Sequence, residues 1–196
     1  MTEKEGIMVK ALARSDSAAA DEAEAIGKLI AEGLYRQALE RCAKAYARPL
    51  GRLCMALTGS QAEAEELAQE TLLAAYDAFP TFRFEGSVRS WLYGIARRIC
   101  GRHNEIKNRR AARLRLVHDT GRGADAGELV IERERAVRAR TALASLKPSE
   151  REAVVLRYDA GLSFREVALA CGVDEAAARK RVSRALMRLR ESLSDV

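Results

Sequence analysis

Proline occurs only three times in the 196 residues, and runs of β-branched residues are nearly absent, so a strand-rich core is excluded. Histidine is scarcer still, with His103 and His118 alone, and the four cysteines Cys42, Cys54, Cys100 and Cys171 are scattered singly. A structural zinc site or a redox dithiol requires such ligands in close pairs. No metal and no cofactor is therefore expected. Cys42 and Cys54 lie in apolar helical patterns and read as core fillers, whereas Cys100 and Cys171 stand beside basic segments, where a thiol is more easily ionised. No apolar run approaches the roughly 20 residues that span a bilayer. The first residues also lack a basic stretch followed by a hydrophobic core and a cleavage site. These absences predict a cytoplasmic protein with no membrane insertion.

What is present is Ala, Leu, Arg and Glu: 48% of the chain is apolar and 32% charged. That composition suits helices with one buried and one solvated face, and the length suits two small domains. The expected fold is all-α. The formal charge of +6 is unevenly spread. Residues 1–33 hold seven acids against four cations, while 97–115 hold eight cations against Glu105 alone. A second cationic run lies near the C-terminus, so two separate segments are suited to a polyanion.

That second run is the most specific pattern in the chain. Leu162 to Arg190 read LSFREVALACGVDEAAARKRVSRALMRLR. Ser163 and Glu166 make a capping box that starts a helix, Gly172 supplies the left-handed residue that closes it, and Asp174 is placed to cap the next. Ala178, Val182, Ala185, Leu189 and Leu193 then recur at helical spacing, leaving a face with Arg179, Lys180, Arg181, Arg184, Arg188 and Arg190 and no acid. Cap, turn and cap in this order predict a helix-turn-helix, with arginines able to hold phosphates or guanine edges. A plain solvated amphipathic helix explains the cations but not the caps.

Earlier in the chain, residues 1–33 read as an acidic extension, a frayed helix at most, with no chemistry assigned. From Leu34 to Leu57 an amphipathic pattern implies helices bent at Pro49 and ended by Thr58-Gly59. Ser60 with Glu63 predicts a capping box for a helix to about Phe79, with Leu67, Leu72, Ala75 and Tyr76 in the core and Glu66, Gln69 and Glu70 on one exposed face. After Pro80, the loop TFRFEGS leads into a helix with Val88, Trp91, Leu92, Ile95, Ala96 and Ile99 as its buried stripe and Arg89, Tyr93, Arg97, Arg98 and Arg102 outward. Rings beside cations suit unpaired bases. Phe82 and Phe84 are the loop aromatics, while Trp91 alone fits the core better. Periodicity fails between Arg110 and Gly127, where HDTGRGADAG has linker composition. It returns near Glu128 with Leu129, Val137, Leu143 and Leu146. Pro148 and a third capping box, Ser149 with Glu152, then predict a helix ending near Gly161.

Taken in order, AEELAQETLLAAYDAF, FEGSVRSWLYGIARR and LKPSEREAVVLRYDAGLSFREVALACGVDEAAARKRVSRALMRLRE resemble the polymerase-binding helix, the promoter-melting segment and the −35-reading domain of bacterial sigma factors of the extracytoplasmic-function group. The resemblance runs from about Leu34 to Leu193 apart from the linker. After the extension (1–33), which is not part of the shared pattern, it implies a sigma region 2 domain (34–110), a flexible linker (111–127) and a region 4 domain (128–196) carrying the helix-turn-helix. It further implies that Glu66, Gln69 and Glu70 meet the β′ clamp of core RNA polymerase. The −10 promoter contacts would be Phe84, Glu85, Gly86, Ser87, Arg89, Trp91, Arg97, Arg98 and Arg102, with an extruded base received by the 84–87 loop. Arg179, Lys180, Arg181, Ser183 and Arg184 would read the −35 element. No catalytic residue is implied, since the chemistry resides in the core enzyme. The implied partners are core polymerase through its β′ clamp and β flap, promoter DNA and an anti-sigma factor. Arg98 and Arg102 stand where the group often has Asn and Asp, and Ala176, Ala177 and Ala178 replace a common Gly-Thr-Val, so promoter sequence does not carry over.

Two other readings compete. A regulator of the response-regulator type would bind duplex DNA without polymerase, but leaves 34–115 unexplained. A thiol or metal sensor would use the cysteines and histidines.

Overall fold

The structure, a computed structural model, describes residues 21–115 and 141–194, and all of their regular structure is helical. Helix α1 covers 21–31 of the described chain. It is followed by α2 (Tyr35–Thr58), α3 (Gln61–Ala78), a 3₁₀ turn (Phe79–Thr81) and α4 (Val88–Arg115). The second domain holds α5 (141–145), α6 (Pro148–Tyr158), α7 (Phe164–Cys171) and α8 (Glu175–Ser194). Residues 1–20 and 116–140, which include most of the expected linker, Leu129 and Val137, lie outside the described residues.

The acidic extension is not a frayed appendage where it is described. Ile26 and Ile30 of α1 are buried in the core, and Arg41 donates two hydrogen bonds to the Glu22 carboxylate at 3.0 and 2.7 Å. Gly33, at φ +74°, lets the chain reverse so that the Leu34 N–H reaches the Leu29 carbonyl at 2.9 Å. Helix α2 runs unbroken through Pro49, and Gly59 closes it at φ +77°. Its buried Ala38, Cys42, Tyr46, Leu50, Leu53 and Leu57 face α3 and α4. Ser60 caps α3 through the Glu63 N–H at 3.4 Å. The box is half made, however, because the Glu63 carboxylate turns to Lys107 at 2.6 Å and His103 at 3.3 Å on α4.

Two core expectations fail, each because of a neighbouring element. Tyr76 is 40% exposed, its ring set edge-on against Phe79, since the 3₁₀ turn brings Phe79 in to fill the space instead. Tyr93 is 2% exposed, because α4 is covered on a second side by the C-terminal domain. Burial pushes its phenol up to about 12. Helix α4 also continues to Arg115, five residues into the segment read as aperiodic.

In the C-terminal domain the Ser163–Glu166 capping box is complete, Gly172 is left-handed at φ +66°, and Asp174 accepts from the Ala177 N–H at 2.7 Å. Ala178, Val182 and Ala185 are buried as expected, and Leu189 is half-buried. The Ser149–Glu152 box does not form. Lys147 precedes α6 without a side-chain cap, and Glu152 pairs with Arg97 of the other domain instead.

Candidate nucleic-acid interface

The loop between the 3₁₀ turn and α4 carries its aromatics on a bent backbone. Phe84 is the only non-glycine residue with positive φ among the described residues, at +57°, and its ring is 52% exposed. It rests on Phe82 at 4.6 Å between centroids, which rests on Trp91 at 4.9 Å. Trp91 also meets Phe79 at 5.8 Å, so it is the half-buried foot of this stack and not a free platform. Ser87 starts α4, accepting from the Ser90 N–H at 3.1 Å.

The same loop and helix are covered by the second domain. Ser87 donates to the Glu166 carboxylate at 2.8 Å, and Arg89 donates to the Ala160 carbonyl. Arg97 bridges further along, with Nε donating to the Ala170 carbonyl at 3.1 Å and Nη1 to Glu152 at 3.2 Å. A β-carbon on Gly86 would lie 2.8 Å from Leu169 Cδ1, and one on Gly94 would lie 3.4 Å from the Ala170 backbone. The helices α4 and α7 therefore meet almost backbone to backbone, which only small residues permit. Burial works against the ionised Glu166 carboxylate, yet hydrogen bonds from Ser163 and Ser87 and the nearby Arg89 outweigh it and hold its carboxyl below the usual range.

Of the expected −10 set, Phe84, Glu85, Gly86, Ser87 and Arg89 thus converge at one loop–helix junction. Arg97 lies beneath α7, while Arg98 and Arg102 face solvent further along α4. Sequence reasoning missed the covering residues Glu152, Glu166 and Leu169. The available signal was the small-residue series Gly86, Ser90 and Gly94 at four-residue spacing, which marks a face open to close approach.

The other two sets are accessible. Glu66, Gln69 and Glu70 are exposed together on α3, with Leu73 beside them at 62% exposure. On α8, Lys180, Ser183 and Arg184 face solvent and Arg181 is half-buried. Arg179 pairs with Glu175 and lies over the Phe164 ring at 4.5 Å. Arg188 departs from the picture of a free cationic face, since it pairs at 2.9 Å with Glu150, which is 4% exposed. That arginine is a structural anchor: removing it strands a buried carboxylate.

Comparison with known proteins decides between the readings. The family model of Sigma-70 region 2 matches residues 42–113, and that of Sigma-70, region 4 matches 136–189. The ECF RNA polymerase sigma factor SigC of Mycobacterium tuberculosis is 34% identical over 154 residues, covering 76% of this chain and 80% of its own. SigD of the same species is 31% identical over 180 residues, covering 87% and 84%. The chain belongs to the ECF RNA polymerase sigma factors. Among solved structures, the sigma factor RpoE in complex with the anti-sigma factor NepR from Bartonella quintana superposes with a TM-score of 0.64 at 25% identity, over 79% of this chain and 96% of that one. CnrH, in complex with the cytosolic domain of CnrY, shares the fold, with a TM-score of 0.67 at 23% identity over 89% and 99%.

A response-regulator reading accounts for none of the region 2 match, and the comparisons support the sigma factor and not that alternative. All four cysteines of this sigma factor are buried and unbridged. Burial pushes the Cys42 thiol up to about 12 and raises Cys171. A hydrogen bond between Cys54 and Cys100 lowers the former and raises the latter. Among the described residues no cluster of three or more His, Cys, Asp or Glu is set to hold a metal ion, and no helix is long and apolar enough to cross a membrane.

Proposed function

We propose that this sigma factor docks on the β′ clamp of core RNA polymerase through Glu66, Gln69 and Glu70, reads the −35 element with Arg179, Lys180, Arg181, Ser183 and Arg184, and opens the −10 element with the 84–89 loop and the cations of α4. The convergence of Phe84, Ser87 and Arg89 at the start of α4 carries the reading. An exposed ring beside cations suits an extruded base, whose unstacking costs a few kcal/mol that stacking and phosphate contacts offset. Catalysis is left to the core enzyme, in the cytoplasm. An anti-sigma partner is supported by the RpoE complex, and contact of the region 4 domain with the β flap by the family resemblance. The extension, region 2, linker and region 4 are taken as 1–33, 34–110, 111–127 and 128–196.

In this reading the closed arrangement must open before the −10 element is engaged, because α7 and Ala160 occupy the positions that DNA would take at Ser87, Arg89 and Arg97. Lys180, Ser183 and Arg184 of the −35 face stay exposed in the closed arrangement. Run-off transcription with core polymerase, followed by mapping of start sites, tests the proposal. Start sites preceded by a shared pair of promoter elements are expected; no dependence of initiation on the added chain overturns it.

A further inference from the structure

Helix α1 lies ahead of the region 2 match, which begins at residue 42, and has no role in the reading above. It is nevertheless fixed on the region 2 domain, by buried Ile26 and Ile30 and by the paired hydrogen bonds between Arg41 and Glu22. Its fixed position sets it over the loop. A β-carbon on Gly27 would come within 3.9 Å of Phe84 Cε1 and 3.8 Å of Val88 Cγ2. Beside this contact is a cavity of about 920 Å³ with Gly27 and Lys28 on one wall and Phe82, Phe84, Ser87 and Arg89 on another. In the closed arrangement Phe164 and Arg179 of the second domain form its far side.

We propose that α1 is the second wall of the pocket that receives an extruded −10 nucleotide, with Lys28 holding the phosphate of the strand while the base lies on Phe84. The inference rests on the −10 reading of the 84–89 loop. Two observations select a nucleotide as the occupant. The walls offer an exposed aromatic face for a flat group, and they offer cations from opposite sides, Lys28 from α1 and Arg89 from α4, for an anion attached to it. Gly27 lets α1 approach the loop closely, since a β-carbon there would already touch Phe84 and Val88. Glu24 holds Lys28 at 2.9 Å and competes with that phosphate. When the domains part, the far side leaves and these two walls remain, since both belong to region 2.

The test is binding of a fluorescent single-stranded oligonucleotide, bearing the −10 element mapped by transcription, to holoenzyme assembled from core polymerase and the full chain. Lys28→Ala is expected to weaken binding several-fold and to reduce the slope of log affinity against log salt by about 0.7, the value for one phosphate on a single strand. Glu24→Gln is expected to tighten binding, because it frees Lys28. An unchanged slope and affinity in Lys28→Ala, with binding lost in Phe84→Ala, overturns the role of α1 and leaves the −10 reading intact. No effect of either variant overturns both. A saturable, Lys28-dependent site for free adenosine monophosphate, with oligonucleotide binding unaltered by the substitution, assigns the pocket to a free nucleotide and overturns the strand as its occupant.

Discussion

Loosening the contact between α7 and α4 should raise the affinity of the free chain for single-stranded −10 DNA. The perturbation is Leu169→Ala with Glu152→Ala, two residues outside every proposed DNA-binding set. Leu169 is 46% exposed, so its share of the contact is at most about half of the 1.5–3 kcal/mol of a fully buried side chain, an upper bound of about 1 kcal/mol. The Arg97–Glu152 pair, with side chains 24% and 15% exposed, is a charge-assisted hydrogen bond near the lower end of the 1.5–3 kcal/mol range, or about 1.5 kcal/mol. Together, at most about 2.5 kcal/mol shifts the closed-to-open ratio by up to about 60-fold. Apparent affinity is the intrinsic affinity multiplied by the open fraction, so it rises by up to the same factor while the closed form predominates. Fluorescence anisotropy of a labelled −10 strand against the full chain reads this directly. Binding of −35 duplex serves as the control, expected to be unchanged because Lys180, Ser183 and Arg184 are already exposed. Equal −10 affinity in the variant and the parent, with the fold intact, would refute the claim that the second domain hides the −10 surface.

Glu66→Lys with Gln69→Ala should abolish co-elution with core polymerase while leaving the thermal melting curve unchanged, since both side chains are exposed. Arg184→Ala should weaken −35 duplex binding by about 1–3 kcal/mol if it holds a base edge. Lys180→Ala should instead reduce the salt slope by about 1 if it holds a phosphate, as titration at several salt concentrations will show. Glu166 is held below its ordinary 4.5 by the Ser163 cap first and by Ser87 and Arg89 of the other domain next, so these contacts contribute fully above that value and are lost as pH falls through the depressed one. The difference in urea stability between the parent and Glu166→Gln should accordingly shrink as pH falls below 4.5. The four buried cysteines should react with a thiol reagent only as the protein unfolds; fast labelling of the native chain would restore the thiol-sensor reading.

Local signals were legible in the sequence where donor and acceptor lie within one helical turn. Ser163 with Glu166, Gly172 and Asp174 act as their spacing predicts; Glu166 keeps Oε2 for the Ser163 cap even though its Oε1 accepts from the distant Ser87. The same Ser-x-x-Glu spacing misleads at 149–152. There the carboxylate finds a guanidinium contributed 55 residues earlier, which no local pattern reveals. Tyr93 is misread for a related reason: a helix that packs on two sides has no outward face at that position. The exposed α3 set and most of the α8 set were readable as faces. The covering of Ser87, Arg89 and Arg97 was not, because it depends on how two domains meet.

The left-handed backbone at Phe84 sets two kinds of selection against each other. A bulky residue at φ +57° carries strain of order 1–3 kcal/mol that glycine would relieve. In a library randomised at this one codon, survival of heat or protease should therefore enrich glycine or asparagine, whereas survival through a reporter driven by this sigma factor's own promoter should enrich aromatic rings. The divergence of the two sequence logos at position 84 would measure how much folding free energy this chain gives up to keep a ring at the proposed −10 pocket.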